Sequence, residues 1–286
     1  LQEQALQILL SEVGDALQIM SDHTHAVQAH VHATTPPSDA QVASTHFLRD
    51  STIYTRRDEM KITLTWLGHS AFRLNVGDDT ILIDPYLTDN ALASASAEEL
   101  DADYILVTHG HYDHVGDAVS IAKRTGALII SNLEICNWMQ AQGVDRVHPQ
   151  QIGGGYTYPF GYLKLTIAHH ASSLPDGSYG GCPAGLLLAT EEKILYFAGD
   201  TGLFYDMRLI GEEGVDLAVL PIGDNYTMGP DDALRAVQLI EPKTVIPAHY
   251  DTFDVIRQDP HAWAERVNTE TSTQAIVLEP GEDYEV

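Results

Sequence analysis

The segment YILVTHGHYDHVGD, residues 104–117, restricts what this chain can fold into more than any other. Ile105 to Thr108 form an apolar, β-branched run that suits a strand covered on both faces, and His109, His111, Asp113 and His114 follow at once. Extended residues two apart project to the same side, about 6–7 Å from one another. His109 and His111 can therefore converge on one ion at metal–nitrogen distances of about 2.0–2.1 Å. Asp113 and His114, at the turn into a following helix, can aim at a second, adjacent point. The positive end of that helix is expected to keep His114 neutral, the form that ligates metal. Gly110 is expected to supply an unusual backbone angle between the two histidines, and Gly116 a close approach of helix to sheet.

More donors are needed than one loop supplies, and they occur in the same setting elsewhere. LTIAHHASS places His169 and His170 at the end of an expected strand, ILYFAGDTG places Asp200 just past another, and TVIPAHYDT places His249 just past a third. Apolar strands that each end in a ligand-type residue point to a site at one rim of a sheet sandwich. Strand geometry alone does not choose between His169 and His170.

From Met60 onward the pattern is regular. KITLTW, AFRLNV and TILID read as strands with GDD at 77–79 as a hairpin connection, followed by DYILVT, a helix over 115–125, the strand ALIIS and a helix over 133–142. Strands near 163–168, 184–190, 193–198 and 215–221, a helix over 230–240 and the strand TVIPA complete a second half in the same style. This alternation predicts an α/β layered fold with helices on both outer faces. The glycine-rich IGGGYTYPFG, 152–161, lacks the strand-to-helix context and the Lys-Ser/Thr partner of a phosphate-binding loop and reads as a tight hairpin.

Residues 1–59 read differently. Leu6, Leu9, Leu10, Val13 and Leu17 recur at helical spacing. The following stretch, with His23, His25, His30 and His32, reads as a polar linker, a metal-binding tract being the alternative. The chain opens on Leu1, and Met60 stands directly before the first strong strand, so 1–59 is expected to be an appendage, or translation from upstream of the true start, and 60–286 the working domain.

Composition narrows the partners. The net charge of −26, from 15 Lys and Arg against 41 Asp and Glu, repels polyanions and argues against nucleic acid. No apolar run approaches the roughly 20 residues of a membrane span, and the acidic start lacks the basic flank of a signal peptide. Two cysteines, Cys136 and Cys182, give no zinc-ribbon spacing and no disulfide framework, which suits a reducing cytoplasm. The expected partner is a small-molecule substrate, and self-association into a homo-oligomer is compatible with the sequence.

Taken with WLGHSAF, ILIDPYL, VTHGHYDHVGDA, AHHASS, YGGCPAG, YFAGDTGLF, LPIGDNYTMGPDDA and PAHYDTF, the chain from Met60 to about Val277 resembles the metallo-β-lactamase superfamily. It is more closely similar to the metal-dependent hydrolase group related to ascorbate-6-phosphate lactonase. The resemblance implies an αββα sandwich with a two-metal centre at one edge. It implies that His109, His111 and His170 hold one metal, that Asp113, His114 and His249 hold the second, and that Asp200 bridges them. The family's His-x-Ser arrangement favours His170 over His169. The two divalent ions implied are zinc, with manganese or iron as the other occupants such mixed nitrogen and oxygen sites take. A shared hydroxide would then cleave a small-molecule ester, lactone or phosphoester, with Asp113 orienting it or taking its proton.

Weaker candidates surround these. His69 in LGHSA is a catalytic candidate that can reach substrate or a metal-bound water, or else a turn histidine. Asp84 is either an acceptor that fixes the histidine loop or a strand cap beside Pro85. Tyr250, Asn225 and Tyr226 are candidate substrate contacts or loop packing. The rival functions are a nuclease or phosphodiesterase of the same fold, a glyoxalase II-like thioesterase, and a metal-binding regulatory protein without turnover.

Overall fold

The structure is a computed structural model and describes residues 61–286. The expected helix near Leu6–Leu17, the four-histidine tract and the boundary at 59/60 lie outside the described residues.

Two seven-stranded sheets carry the fold. In the first, β1 (Ile62–Gly68), β2 (Ala71–Val76) and β3 (Asp79–Ile83) form an antiparallel meander, and β4 (Tyr104–Leu106), β5 (Leu128–Ser131) and β6 (Val147–Pro149) extend it in parallel. In the second, β7 (Gly155–Tyr158), β8 (Gly161–Ile167), β9 (Ala184–Ala189) and β10 (Ile194–Phe197) are antiparallel. There β11 (Leu217–Pro221), β12 (Thr244–Ala248) and β13 (Gln274–Ala275) continue in parallel from β10. The last strand, β14 (Asp283–Glu285), returns to the first sheet and covers the edge of β1. Among the described residues there are six α-helices: α1 (Tyr112–Val115), α2 (Ala118–Thr125), α3 (Leu133–Ala141), α4 (Met207–Gly211), α5 (Pro230–Ile240) and α6 (Pro260–Glu270).

Strand β3 shows why apolar residues run uninterrupted in the central strands. Successive side chains alternate between faces, so Ile81 and Ile83 pack between the sheets while Leu82 packs under the helices. The inter-sheet layer joins Leu64, Phe72 and Leu74 to Leu163, Leu186 and Phe197, with the Phe72 and Phe197 rings edge-on at 6.0 Å. The outer face of the first sheet packs Ile105 and Ile129 against Ile121 of α2 and Met139 of α3. Val237 of α5 and Trp263 of α6 join the core of the second sheet. Each fully buried Leu or Ile contributes about 1.5–3 kcal/mol, so this two-sided burial is what holds the parallel strands in register. The result is the expected αββα sandwich, and no helix among the described residues is long and apolar enough to cross a membrane.

Two expectations are corrected. The helix anticipated over 115–125 is broken in two at Gly116, whose φ of 39° turns the chain and whose missing Cβ would stand 2.5 Å from the Pro85 carbonyl. Gly110 does not adopt a positive φ. It donates its N–H to Ser172 Oγ at 3.0 Å, and Leu174 packs 3.3 Å from where a Cβ would be. It is small for space, not for backbone angle.

Candidate metal centre

The parallel strands place the carboxyl ends of β4, β10 and β12 along one edge, and the end of β8 meets them there. Open α/β sheets build their sites at such an edge. His109, His111 and His170 form one group of candidate donor atoms, and His109, His114 and Asp200 another; within each, the atoms lie within 4.8 Å of one another. Asp113, His114 and His249, with His69, form a third group of the same compactness.

In the first cluster, His111 Nδ1 lies 3.0 Å from His109 Nε2 and 3.2 Å from His170 Nε2. Three imidazole nitrogens facing one point do not satisfy each other, since a neutral ring has one N–H to give. Ligands on a tetrahedral ion at about 2.0–2.1 Å stand about 3.3–3.4 Å apart, close to the spacing seen. His169, by contrast, is exposed and stacks on Phe204 at 4.9 Å, so the geometry gathers His170 and leaves His169 out.

The second cluster is deeper. His114 Nε2 approaches Asp200 Oδ1 at 3.2 Å, and His249 Nε2 approaches Asp200 Oδ2 at 3.1 Å. Asp113 Oδ2 lies 4.0 Å from His114 Nε2 and 3.9 Å from His249 Nε2. Asp200 Oδ2 also lies 3.5 Å from His170 and 3.9 Å from His109, so this one oxygen faces both clusters. His114 Nε2, Asp200 Oδ1 and both ring nitrogens of His249 are buried without a hydrogen-bond partner, their close approaches being out of alignment. Buried polar atoms are rarely left so, and converging lone pairs of this kind fit a divalent ion.

The surrounding residues fix which atom each donor presents. Asp84 accepts from the Thr108 N–H at 2.8 Å, from Thr108 Oγ1 at 2.6 Å and from His114 Nδ1 at 2.8 Å. The Thr108 hydroxyl gives its proton to Asp84 and so accepts from His109 Nδ1 at 3.0 Å. That leaves the His109 Nε2 lone pair facing the cluster. Asp84 is thus the acceptor that fixes the histidine loop, through an aspartate held at φ 43°.

Electrostatics agree with a cationic occupant. Burial, more than any other cause, pushes His109, His111 and His170 below the usual histidine range, toward the neutral ligating form. His114 departs from expectation. Burial opposes its charge, but Asp200 and Asp84 together overcome that and hold it well above the ordinary value. A one-turn helix supplies too little dipole to compete with two carboxylates at this range. Burial opposes charge on Asp200 as well, yet His114 and His249 hold it ionised. The spot stabilises positive charge, whether a proton or a metal ion.

His69 is fully buried and does not line the cavity, so its ring has no open path to a substrate. Burial first, then His249, lower its pKa to about 4, so it carries one ring proton at neutral pH. Asp113 can only accept, so His69 Nε2 donates to Asp113 Oδ2 at 3.2 Å while Nδ1 receives the Thr252 hydroxyl at 2.9 Å. Both nitrogens are engaged. His249, with neither engaged, is the better donor to an ion, and His69 positions Asp113.

Above the donors lies a cavity of about 440 Å³ floored by His111, Asp113, His170, Asp200 and His249, with Tyr112, Tyr226 and Phe253 as walls. Of the earlier substrate candidates Tyr226 lines it, Asn225 is exposed beside it, and Tyr250 is buried in a stack on Trp66 at 5.3 Å. Tyr112 and Phe253 escaped sequence reasoning. An exposed aromatic inside the ligand motif was the available signal for the first, and the end of PAHYDTF for the second.

Comparison with known proteins agrees with this fold. A β-lactamase superfamily domain model matches residues 79–250. A UPF0173 metal-dependent hydrolase of Shouchella clausii is 49% identical over 229 residues, covering 78% of this chain and 99% of that protein. One from Thermus thermophilus is 49% identical over 221 residues, covering 77% and 97%. Among solved structures, the metallo hydrolase Igni18 of Ignicoccus hospitalis superposes with a TM-score of 0.73 at 38% identity, over 79% of this chain and 98% of that one. A sandwich with this donor-lined rim, matched across nearly the whole length of such relatives, belongs to the metallo-β-lactamase superfamily, in its UPF0173 metal-dependent hydrolase family.

Proposed function

We propose that the protein is a dinuclear hydrolase of a small-molecule ester, lactone or phosphoester, working in the cytoplasm. The observation that carries the two-ion reading is Asp200 Oδ2, which faces the three-histidine cluster and the His114–His249 cluster at once. His109, His111 and His170 would hold one ion, Asp113, His114 and His249 the other, with Asp200 shared. Nitrogen-rich ligation favours zinc, with manganese and iron as the alternatives. When bound, such ions polarise the scissile carbonyl or phosphoryl group and acidify water toward a pKa of about 7.

The chain's own residues supply the rest. Asp113 stands in the cavity floor and is held by the His69 N–H, so its carboxylate can orient the attacking water and receive its proton. Thr108 and Asp84 keep the His109 and His114 donors aimed, sparing any reorganisation during reaction. Tyr112, Tyr226 and Phe253 bind and orient the substrate above them. Cys136 and Cys182 are both unpaired, in keeping with a reducing compartment.

Metal analysis of the purified protein, joined to turnover of lactones, carboxylic esters, phosphomonoesters, phosphodiesters and thioesters, tests the reading. Two ions per chain and turnover of a lactone or simple ester are expected. Preferred cleavage of oligonucleotides would favour the nuclease instead, and two bound ions with no turnover across the panel would favour a regulatory protein.

A further inference from the structure

The hydrolase reading leaves the substrate class open, and the walls of the cavity narrow it. None of the described residues lining the cavity over the donors is a lysine or arginine. A second depression of about 510 Å³ shares His170 with the first and is lined by Ser173, Ser178, Tyr179 and Cys182, again with no lysine or arginine among the described residues. The arginines of the described residues are engaged elsewhere. Arg257, the nearest in sequence to Phe253, pairs with Asp254 at 2.7 Å. Among the described residues an anionic group on the body of a substrate would find no lysine or arginine partner here, within a chain whose net charge is −26.

The walls instead present aromatic faces. Tyr112 and Tyr226 are 57% and 56% exposed, large apolar areas to leave in water unless something covers them. Two of the three wall rings are also braced: Tyr112 stands edge-on to Tyr86 at 5.8 Å, and Phe253 edge-on to His69 at 5.6 Å. Fixed rings of this kind grip a planar apolar group at little entropic cost.

We propose, resting on the hydrolase reading above, that away from the bond that is cut the substrate is uncharged and aromatic. It is an aryl-bearing ester or lactone, not a phosphorylated or carboxylated metabolite. Its ring lies among Tyr112, Tyr226 and Phe253, and the departing oxygen leaves over the Ser173–Tyr179 depression. Water adds across the acyl–oxygen bond: its oxygen joins the acyl carbon, and the leaving oxygen keeps the bonding pair and takes a proton. Nothing is oxidised or reduced.

The test compares matched aryl esters that differ only in a ring substituent far from the scissile bond, hydroxymethyl against carboxylate or phosphate. Metal-loaded protein of measured metal content is used throughout. The neutral ester is expected to lead in kcat/KM by about tenfold or more. The corresponding aryl ketones, which cannot be cleaved, should bind in the same order by calorimetry. Tyr226→Ala and Phe253→Ala should raise KM for aryl esters far more than for a methyl-substituted alkyl ester, with metal content unchanged, and Tyr226→Lys should narrow the gap between neutral and charged twins. Equal or better handling of the charged twins, in turnover and in ketone binding, overturns the inference. If loaded protein cuts no ester, lactone or phosphoester, the hydrolase reading falls, and the ketone binding order still decides this one.

Discussion

The two donor clusters differ in exposure and in charge, and the difference shows how one rim can build two unlike sites. His109, His111 and His170 offer nitrogen alone, and two of the three rings are only partly covered. His114 and His249 are buried and face two carboxylates, Asp113 and Asp200. Carboxylates taken out of water cost several kcal/mol each unless positive charge accompanies them. The deeper cluster therefore demands a cation to be stable, whereas the outer cluster merely welcomes one. On the proposed two-ion reading, the outer ion should be the exchangeable one and the inner ion the structural anchor.

Removing the shared residue should have the largest effect. Asp200→Ala takes the carboxylate from between the clusters and leaves His114 and His249 facing each other without it. Turnover should fall by about 10³-fold or more, several kcal/mol of barrier, with fewer than two ions retained per chain. Undiminished turnover with two ions bound would remove the bridge from the scheme. His111→Ala and His249→Ala then separate the two sites. The first should keep the inner ion and its thermal stability while losing the outer ion and activity together. The second should lose melting temperature as well as metal. Timed dialysis against a chelator gives the same contrast without mutation: two phases in residual metal content, with activity lost in the first. A single phase would make the two sites equivalent.

Smaller effects come from the residues behind the ligands. Asp84→Asn keeps the shape but removes charge from the acceptor of Thr108 and His114, and should weaken metal affinity by about 10–100-fold in competition with a chromophoric chelator. An unchanged affinity would reduce Asp84 to a strand cap beside Pro85.

The rim was readable because strand periodicity and ligand chemistry coincide there: a run such as Ile194–Phe197 must end at the sheet edge, and Asp200 follows within three residues. The sandwich was readable for the same reason, through unbroken apolar strands such as Thr244–Ala248. What stayed hidden depended on distant partners. The strand Asp283–Glu285 has no apolar signature and exists because it pairs with β1 across more than 200 residues of chain. Helix α6 did carry a local signal, Asp259 capping the Ala262 N–H at 3.0 Å with Pro260 in the first turn, which went unread. His114's ionisation was misjudged because its two carboxylate neighbours, Asp84 and Asp200, lie 30 and 86 positions away in sequence.

The same lesson applies to His69, whose role rests on a single hydroxyl. Its Nε2 proton is needed to hold Asp113, and the Thr252 hydroxyl at Nδ1 keeps the proton on that nitrogen. A competing acceptor for this hydroxyl, the Tyr250 carbonyl, is farther away at 3.4 Å. Thr252→Val removes the donor at almost constant volume and leaves every metal donor in place. The ring proton can then move to Nδ1, which turns a lone pair toward the Asp113 carboxylate and loosens it. A neutral hydrogen bond is worth about 0.5–1.5 kcal/mol, so kcat should fall about 2–10-fold with KM and metal content little changed. Nitrogen chemical shifts of the His69 ring should report the tautomer moving from Nε2–H toward Nδ1–H. If the tautomer stays put, the hydroxyl is mere packing, and Asp113 is held by burial and its charged neighbours alone.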